Sequence, residues 1–258
     1  MLTKPRLPLV LSSLAAALAA LVALLGIRDL DLYRPMTPDR FIPGTLSQDL
    51  LSLVLALGLL ALASRLARGG SARLWAVWLG LLGYLAYGYG LYAFETVINE
   101  LFLVYIAVFS LSIWAVIAFF ARTDRAPFRA KAPPRRLTAG LFALLIVLFT
   151  VLWLAILIPA MQSRTPPDGA TIQVFDFAFV LPALGFGAAM LWRGHPWGDL
   201  LALPLLIKAA TIGLSVLLGT LLAPRFGGTI DPGEVATYAI LGLLPLALTG
   251  PWWRALAP

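Results

Sequence analysis

Eight apolar runs dominate this chain, near residues 7–27, 48–67, 73–96, 100–121, 137–161, 172–192, 200–222 and 235–255. Each is about long enough to cross a hydrocarbon core as an α-helix. The runs are too long and too unalternating for the strands of a membrane barrel, and a helix is the other backbone that satisfies its own polar groups in lipid. Their separators carry helix breakers: Arg68-Gly69-Gly70-Ser71, Ala132-Pro133-Pro134-Arg135-Arg136, Thr165-Pro166-Pro167-Asp168-Gly169 and Gly227-Gly228-Thr229-Ile230-Asp231-Pro232-Gly233. The reading is all-α, a polytopic transmembrane bundle forming a single integral membrane domain over residues 1–258.

Composition narrows the chemistry. The chain is 61% hydrophobic and 12% charged, against about one-quarter charged for a soluble domain, which leaves no room for a separate soluble catalytic domain. With no cysteine and one histidine, disulfides, thiol chemistry, Cys-ligated zinc or iron–sulfur and His-rich haem sites are excluded. His195 has no second metal ligand near it in sequence and is expected to be a surface or packing residue. The residues name no cofactor and no particular metal.

Orientation follows from the basic residues in the connections. With the N-terminus in the cytoplasm, thirteen fall inside: Lys4, Arg6, Arg65, Arg68, Arg73, Arg122, Arg125, Arg129, Lys131, Arg135, Arg136, Arg193 and Arg254. Five fall outside, namely Arg28, Arg34, Arg40, Arg164 and Arg225, so both termini are expected to be cytoplasmic. Topology and contact with anionic lipid account for the net charge of +7, and no nucleic-acid role is needed. The first run follows Met-Leu-Thr-Lys-Pro-Arg like a secretory signal. At about 21 apolar residues rather than 7–15, it is expected to be a retained first crossing.

Several charges have local explanations. Thr45-Leu46-Ser47-Gln48 has the pattern of a capping box, which would put Asp49 in the first turn of the second helix. Asn99 is placed to cap the fourth helix with Glu100 just inside it. Asp231-Pro232-Gly233-Glu234 reads as the start of the eighth, and Asp199 as serving the seventh in the same way. Residues 28–47 form the longest outer connection and are expected to be a surface loop, with a lid over the site as the alternative. The fifth run is almost purely apolar and is expected to face lipid.

Three charges resist such explanations. Lys208 sits within the seventh run, about 12 Å from its cytoplasmic end by helical rise, where a cation costs at least about 2.5–3.5 kcal/mol. Thr211 and Ser215 continue its stripe, and Ala209 with Gly213 makes a small-xxx-small pair that permits close helix packing. Asp176 lies roughly 6 Å below the outer end of the sixth run. These depths leave a gap of roughly 12 Å between the two backbones along the membrane normal, so direct pairing would need tilt, water or a ligand. Glu95 ends the third run, where the helix dipole disfavours a carboxylate, on the face that carries Tyr84, Gly88 and Leu91. Tyr84, Tyr87, Tyr89 and Tyr92 do not share a face, so some are expected in the aromatic belt at the outer interface.

Ser47-Gln48-Asp49-Leu50 opening one crossing, Gly83-Tyr84 through Asn99-Glu100-Leu101-Phe102 across a tight outer turn, Asp176, and Trp192-Arg193 with Pro196-Trp197-Gly198 and Lys208 together resemble a group of bacterial multi-pass inner-membrane proteins of uncharacterised activity. The resemblance covers most of residues 45–220 and implies a bacterial inner-membrane setting. It carries no activity with it.

Three classes of function stand. The first is binding or transport of a small solute or ion at a charged pocket built from Lys208, Asp176, Glu95, Asp49, Gln48, Asn99, Tyr84, Thr211 and Ser215, where proton coupling is feasible. The second is a membrane-embedded enzyme acting on a lipid or isoprenoid, with outer carboxylates holding a hard cation, although no Asp-rich, HExxH, GxSxG or paired-histidine motif is present. The third is a sensor or assembly subunit in which the polar groups fix helix register. The bilayer is the partner the sequence points to, with a small-molecule or ion ligand expected at the pocket.

Overall fold

The computed structural model describes residues 6–123 and 130–256. Lys4, Arg125 and Arg129 of the orientation count lie outside the described residues. Among the described residues the chain is helical without strands, and eight segments are long and apolar enough to cross a membrane. These are α1 (Arg6–Arg28), α2 (Ile42–Arg68), α3 (Ala72–Phe94), α4 (Phe102–Phe120), α5 (Arg135–Ser163), the broken span of α6 (Ala170–Phe175) and α7 (Leu181–Trp192), α8 (Pro196–Leu222) and α9 (Pro232–Ala255).

Local chemistry sets several of the starts. Asp231 accepts the amide of Gly233 at 2.7 Å with Pro232 at the first helical position of α9, as its sequence predicts. Ser71 caps α3 through Leu74. At α8 the cap is His195, whose Nδ1 accepts the Trp197 amide at 3.3 Å, and Asp199 is left free for a different partner.

The expected capping box at residues 45–48 is not formed. A 3₁₀ turn over Asp39–Phe41 feeds directly into α2 at Ile42, with Pro43 in its first turn. Thr45 and Ser47 therefore lie inside the helix and bond back to the carbonyls of Phe41 and Gly44. Asp49 sits two turns in, away from the helix start, and needs other donors.

The broken span has a stereochemical cause. Pro182 lacks an amide hydrogen, and a π-helical segment over Asp176–Val180, in which the Leu181 amide reaches the Asp176 carbonyl, absorbs the mismatch. The segment begins on Asp176.

α3 lies in the middle of the bundle, against α1, α2, α4, α6 and α8, and α8 packs on α2, α3, α7 and α9. α1 offers α3 and its neighbours a smooth face of Ala16, Ala19, Ala23 and Gly26. Two bonds fix the α1–α3 register: Trp78 Nε1 donates to Ser12 at 3.0 Å and the Tyr89 hydroxyl to the Ala19 carbonyl at 2.9 Å. α8 crosses α9 at Gly213 and Gly242, where a Cβ added to Gly213 would stand 2.5 Å from the Gly242 nitrogen. Helix α5 turns most of its large apolar side chains outward, including Leu144, Val147 and Val151, as expected of a lipid-facing span.

Candidate functional site

Lys208 lies twelve residues into α8, about 18 Å from its start by helical rise, because α8 begins at Pro196 and not near 200. It is thus nearer the middle of its span than the sequence implies. Its stem lies against Gly83 of α3, with Cγ 3.8 Å from where a Cβ would be. Its ammonium nitrogen is buried and has no hydrogen-bond partner among the described residues. That nitrogen rests 3.4 Å from the centroid of the Tyr87 ring, well inside the range of a cation–π contact, which is worth about 2 kcal/mol when desolvated.

Tyr87 turns its other end to Asp176. The phenol hydroxyl donates to Asp176 Oδ1 at 3.0 Å, and Trp153 Nε1 of α5 donates to Oδ2 at 2.9 Å. Tyr87 is seven residues from the end of α3 and Asp176 six from the start of α6, so both lie roughly 9–10 Å below the same end of the bundle. A tyrosine ring stands between Lys208 and Asp176, its face under the ammonium and its hydroxyl on the carboxylate. Ammonium and carboxylate form no direct ion pair.

Around this centre the polar stripe of α8 divides. Thr211 bonds back to the Lys208 carbonyl at 3.0 Å, while Ser215 meets Ser47 of α2, whose hydroxyl donates to the Ser215 carbonyl at 2.8 Å. Gln48 donates to the Gly88 carbonyl, the residue after Tyr87, at 3.1 Å. Lys208 and Asp176 therefore meet through Tyr87, while Gln48 and Ser215 belong to a neighbouring set of contacts that ties α2 to α3 and α8.

The remaining candidates lie apart. Asp49 is fully buried and accepts from Tyr33 at 2.7 Å and Tyr92 at 3.3 Å. Tyr33 comes from the 29–41 connection, which lies mainly at the surface, as expected, and plugs the bundle with this one buried ring; burial, reinforced by Asp49, holds its hydroxyl above the usual phenol pKa. Asn99 ties this plug down by donating to the Leu32 carbonyl at 2.9 Å and to Tyr105 at 3.0 Å, and its own Oδ1 accepts from Leu101 just before α4. Tyr84 bonds Ser52 and the Gln48 carbonyl. Glu95 is exposed and finds its compensation at the start of α6, accepting the Thr171 amide at 3.2 Å. None of the four tyrosines of α3 is exposed: each finds a polar partner inside the bundle, so the expected belt residues face inward.

The three carboxylates Asp49, Asp176 and Glu95 thus occupy separate settings. Among the described residues no group of three His, Cys, Asp or Glu side chains is placed to hold a metal. Asp199 proves to be an ion-pair residue: it is buried, takes Nε and Nη2 of Arg135 at 2.7 and 2.6 Å, and accepts the Ala130 amide at 3.1 Å.

Two members of the central cluster escape sequence reasoning. Tyr87 is hidden among four neighbouring tyrosines, and Trp153 among a run that otherwise faces lipid. The available signal is that a carboxylate at membrane depth requires donors, and Trp153 is the one indole within the fifth run. Comparison with family models, with curated proteins and with solved structures found no match to this chain.

Proposed function

We propose that this protein is a membrane transporter for an ion, the proton, with Lys208 and Asp176 as its binding centre. The observation that carries this reading is the buried ammonium without a hydrogen-bond acceptor among the described residues, separated from a buried carboxylate by one tyrosine ring. An ionisable residue at membrane depth is costly, which makes ion and proton pathways its default reading. A charge pair held apart is a pair whose protonation can change with little rearrangement. A proton moved from Nζ to the carboxylate leaves the centre neutral overall, and a proton gained or lost leaves it charged by one unit.

The centre is packed on Tyr87, and the two surface hollows, each of about 400 Å³, are lined by other residues. A proton needs no cavity. The Asp49 group supports a different role for its members: its carboxylate is met by two hydroxyls and its surroundings lock the 29–41 plug to α2 and α3, which fixes register. The distribution of basic residues favours both termini in the cytoplasm, and the setting that fits the resemblance in sequence is a bacterial inner membrane.

The test is proton uptake into proteoliposomes under an imposed potassium diffusion potential, read by an internal pH dye. Parent protein should carry protons above the empty-liposome background, and Lys208→Met and Asp176→Asn should each lower the rate tenfold or more while remaining folded. Parent flux at background, or variants equal to the parent, would overturn the assignment.

A further inference from the structure

A second feature lies at the opposite, basic end of the bundle and is independent of the Lys208 centre. A surface hollow of about 400 Å³ opens between the first turn of α5 and the last turn of α7, lined by Pro134, Arg135, Arg136, Leu191, Trp192 and Gly194 among others. Arg135 is immobilised in its wall, because two of its nitrogens are committed to both oxygens of Asp199. That pairing also neutralises Asp199, the carboxylate buried behind the arginine. Arg136 is exposed and has no acceptor among the described residues, and exposed Arg193 follows Trp192 in the chain. Among the described residues the mouth of the hollow is therefore net positive.

Below the hollow the surface changes character without interruption. Leu137 lines it, and Leu144, Leu148 and Val151 follow at helical spacing along the outer face of α5, all exposed. Trp192, largely exposed at the same level, has the amphipathic ring that settles at a headgroup boundary. A cationic hollow, an interfacial tryptophan and an apolar track leading into the hydrocarbon match an amphiphile with an anionic head. Basic pockets between transmembrane helices on the cytoplasmic side are suited to such headgroups.

We propose that this hollow binds one anionic phospholipid, with its phosphate on Arg136 beside Arg135 and an acyl chain along the Leu137–Val151 track. The experiment uses purified, delipidated full-length protein in detergent, titrated with phosphatidylglycerol or with phosphatidylcholine of the same chains and read by native mass spectrometry. One phosphatidylglycerol should bind more tightly than phosphatidylcholine. Arg136→Gln should weaken it about fivefold, the worth of one basic residue near an anionic surface. Arg225→Gln, an exposed arginine at the other end, should leave it unchanged, and both variants should unfold at the parent's temperature. Equal binding of the two lipids, equal loss in the two variants, or displacement of the lipid by inorganic phosphate alone would each overturn the proposal.

Discussion

Tyr87 gives the sharpest test of the central geometry, because its two ends do different things. Tyr87→Phe keeps the ring under the Lys208 ammonium and removes the hydroxyl that donates to Asp176 at 3.0 Å. A hydrogen bond to a charged group is worth about 1.5–3 kcal/mol, and a carboxylate at this depth cannot replace it from bulk water. Tyr87→Leu removes the ring as well and should cost about a further 2 kcal/mol for the cation–π contact, with a cavity term added. In a detergent-solubilised thermal unfolding series, at roughly 2–4 °C per kcal/mol for a chain of this size, Phe should fall by about 3–12 °C and Leu clearly further. Unfolding of Tyr87→Phe within about 1 °C of the parent, or of Phe and Leu at one temperature, would refute the bridging role.

Two further predictions follow from the space around glycines. Gly213→Ala would put a methyl within 2.5 Å of the backbone of α9, so it should destabilise by about 1–3 kcal/mol. Gly58→Ala, at a helical site with open space around it, should stabilise by up to about 1 kcal/mol; a chemical unfolding series separates the two. The raised Tyr33 hydroxyl predicts alkaline sensitivity: the unfolded chain releases this proton near pH 10 while the folded chain retains it, so stability falls as pH rises above about 10. Tyr33→Phe should flatten that fall by up to about 1.4 kcal/mol per pH unit, and an unchanged slope would show that Tyr33 is not buried beside Asp49.

The spans were legible because twenty apolar residues in sequence leave few folds open, and the Asp231-Pro232 start of α9 was legible because capping is local. The start of α2 was not: Thr45-Leu46-Ser47-Gln48 matches a capping pattern, but Phe41 and Ile42 before it can continue the helix, and nothing local forbids this. Lys208 and Asp176 stood out by the expense of charge in hydrocarbon. Their intermediary did not, because which of four tyrosines faces which neighbour depends on the rotation of α3 against α8. Glu95 looked anomalous at a helix end, and its compensation came from the start of another span, α6, which residue-by-residue reading of α3 does not contain.

The most direct measurement is the nitrogen resonance of the Lys208 ammonium in ¹⁵N-lysine-labelled protein. The chain has three lysines, Lys4, Lys131 and Lys208, and Lys208→Met assigns the signal. The account predicts a resonance displaced from that of exposed Lys131, slow to exchange with water, and shifted again by Tyr87→Leu and by Asp176→Asn. A Lys208 signal that matches Lys131, exchanges freely and ignores both substitutions would contradict it.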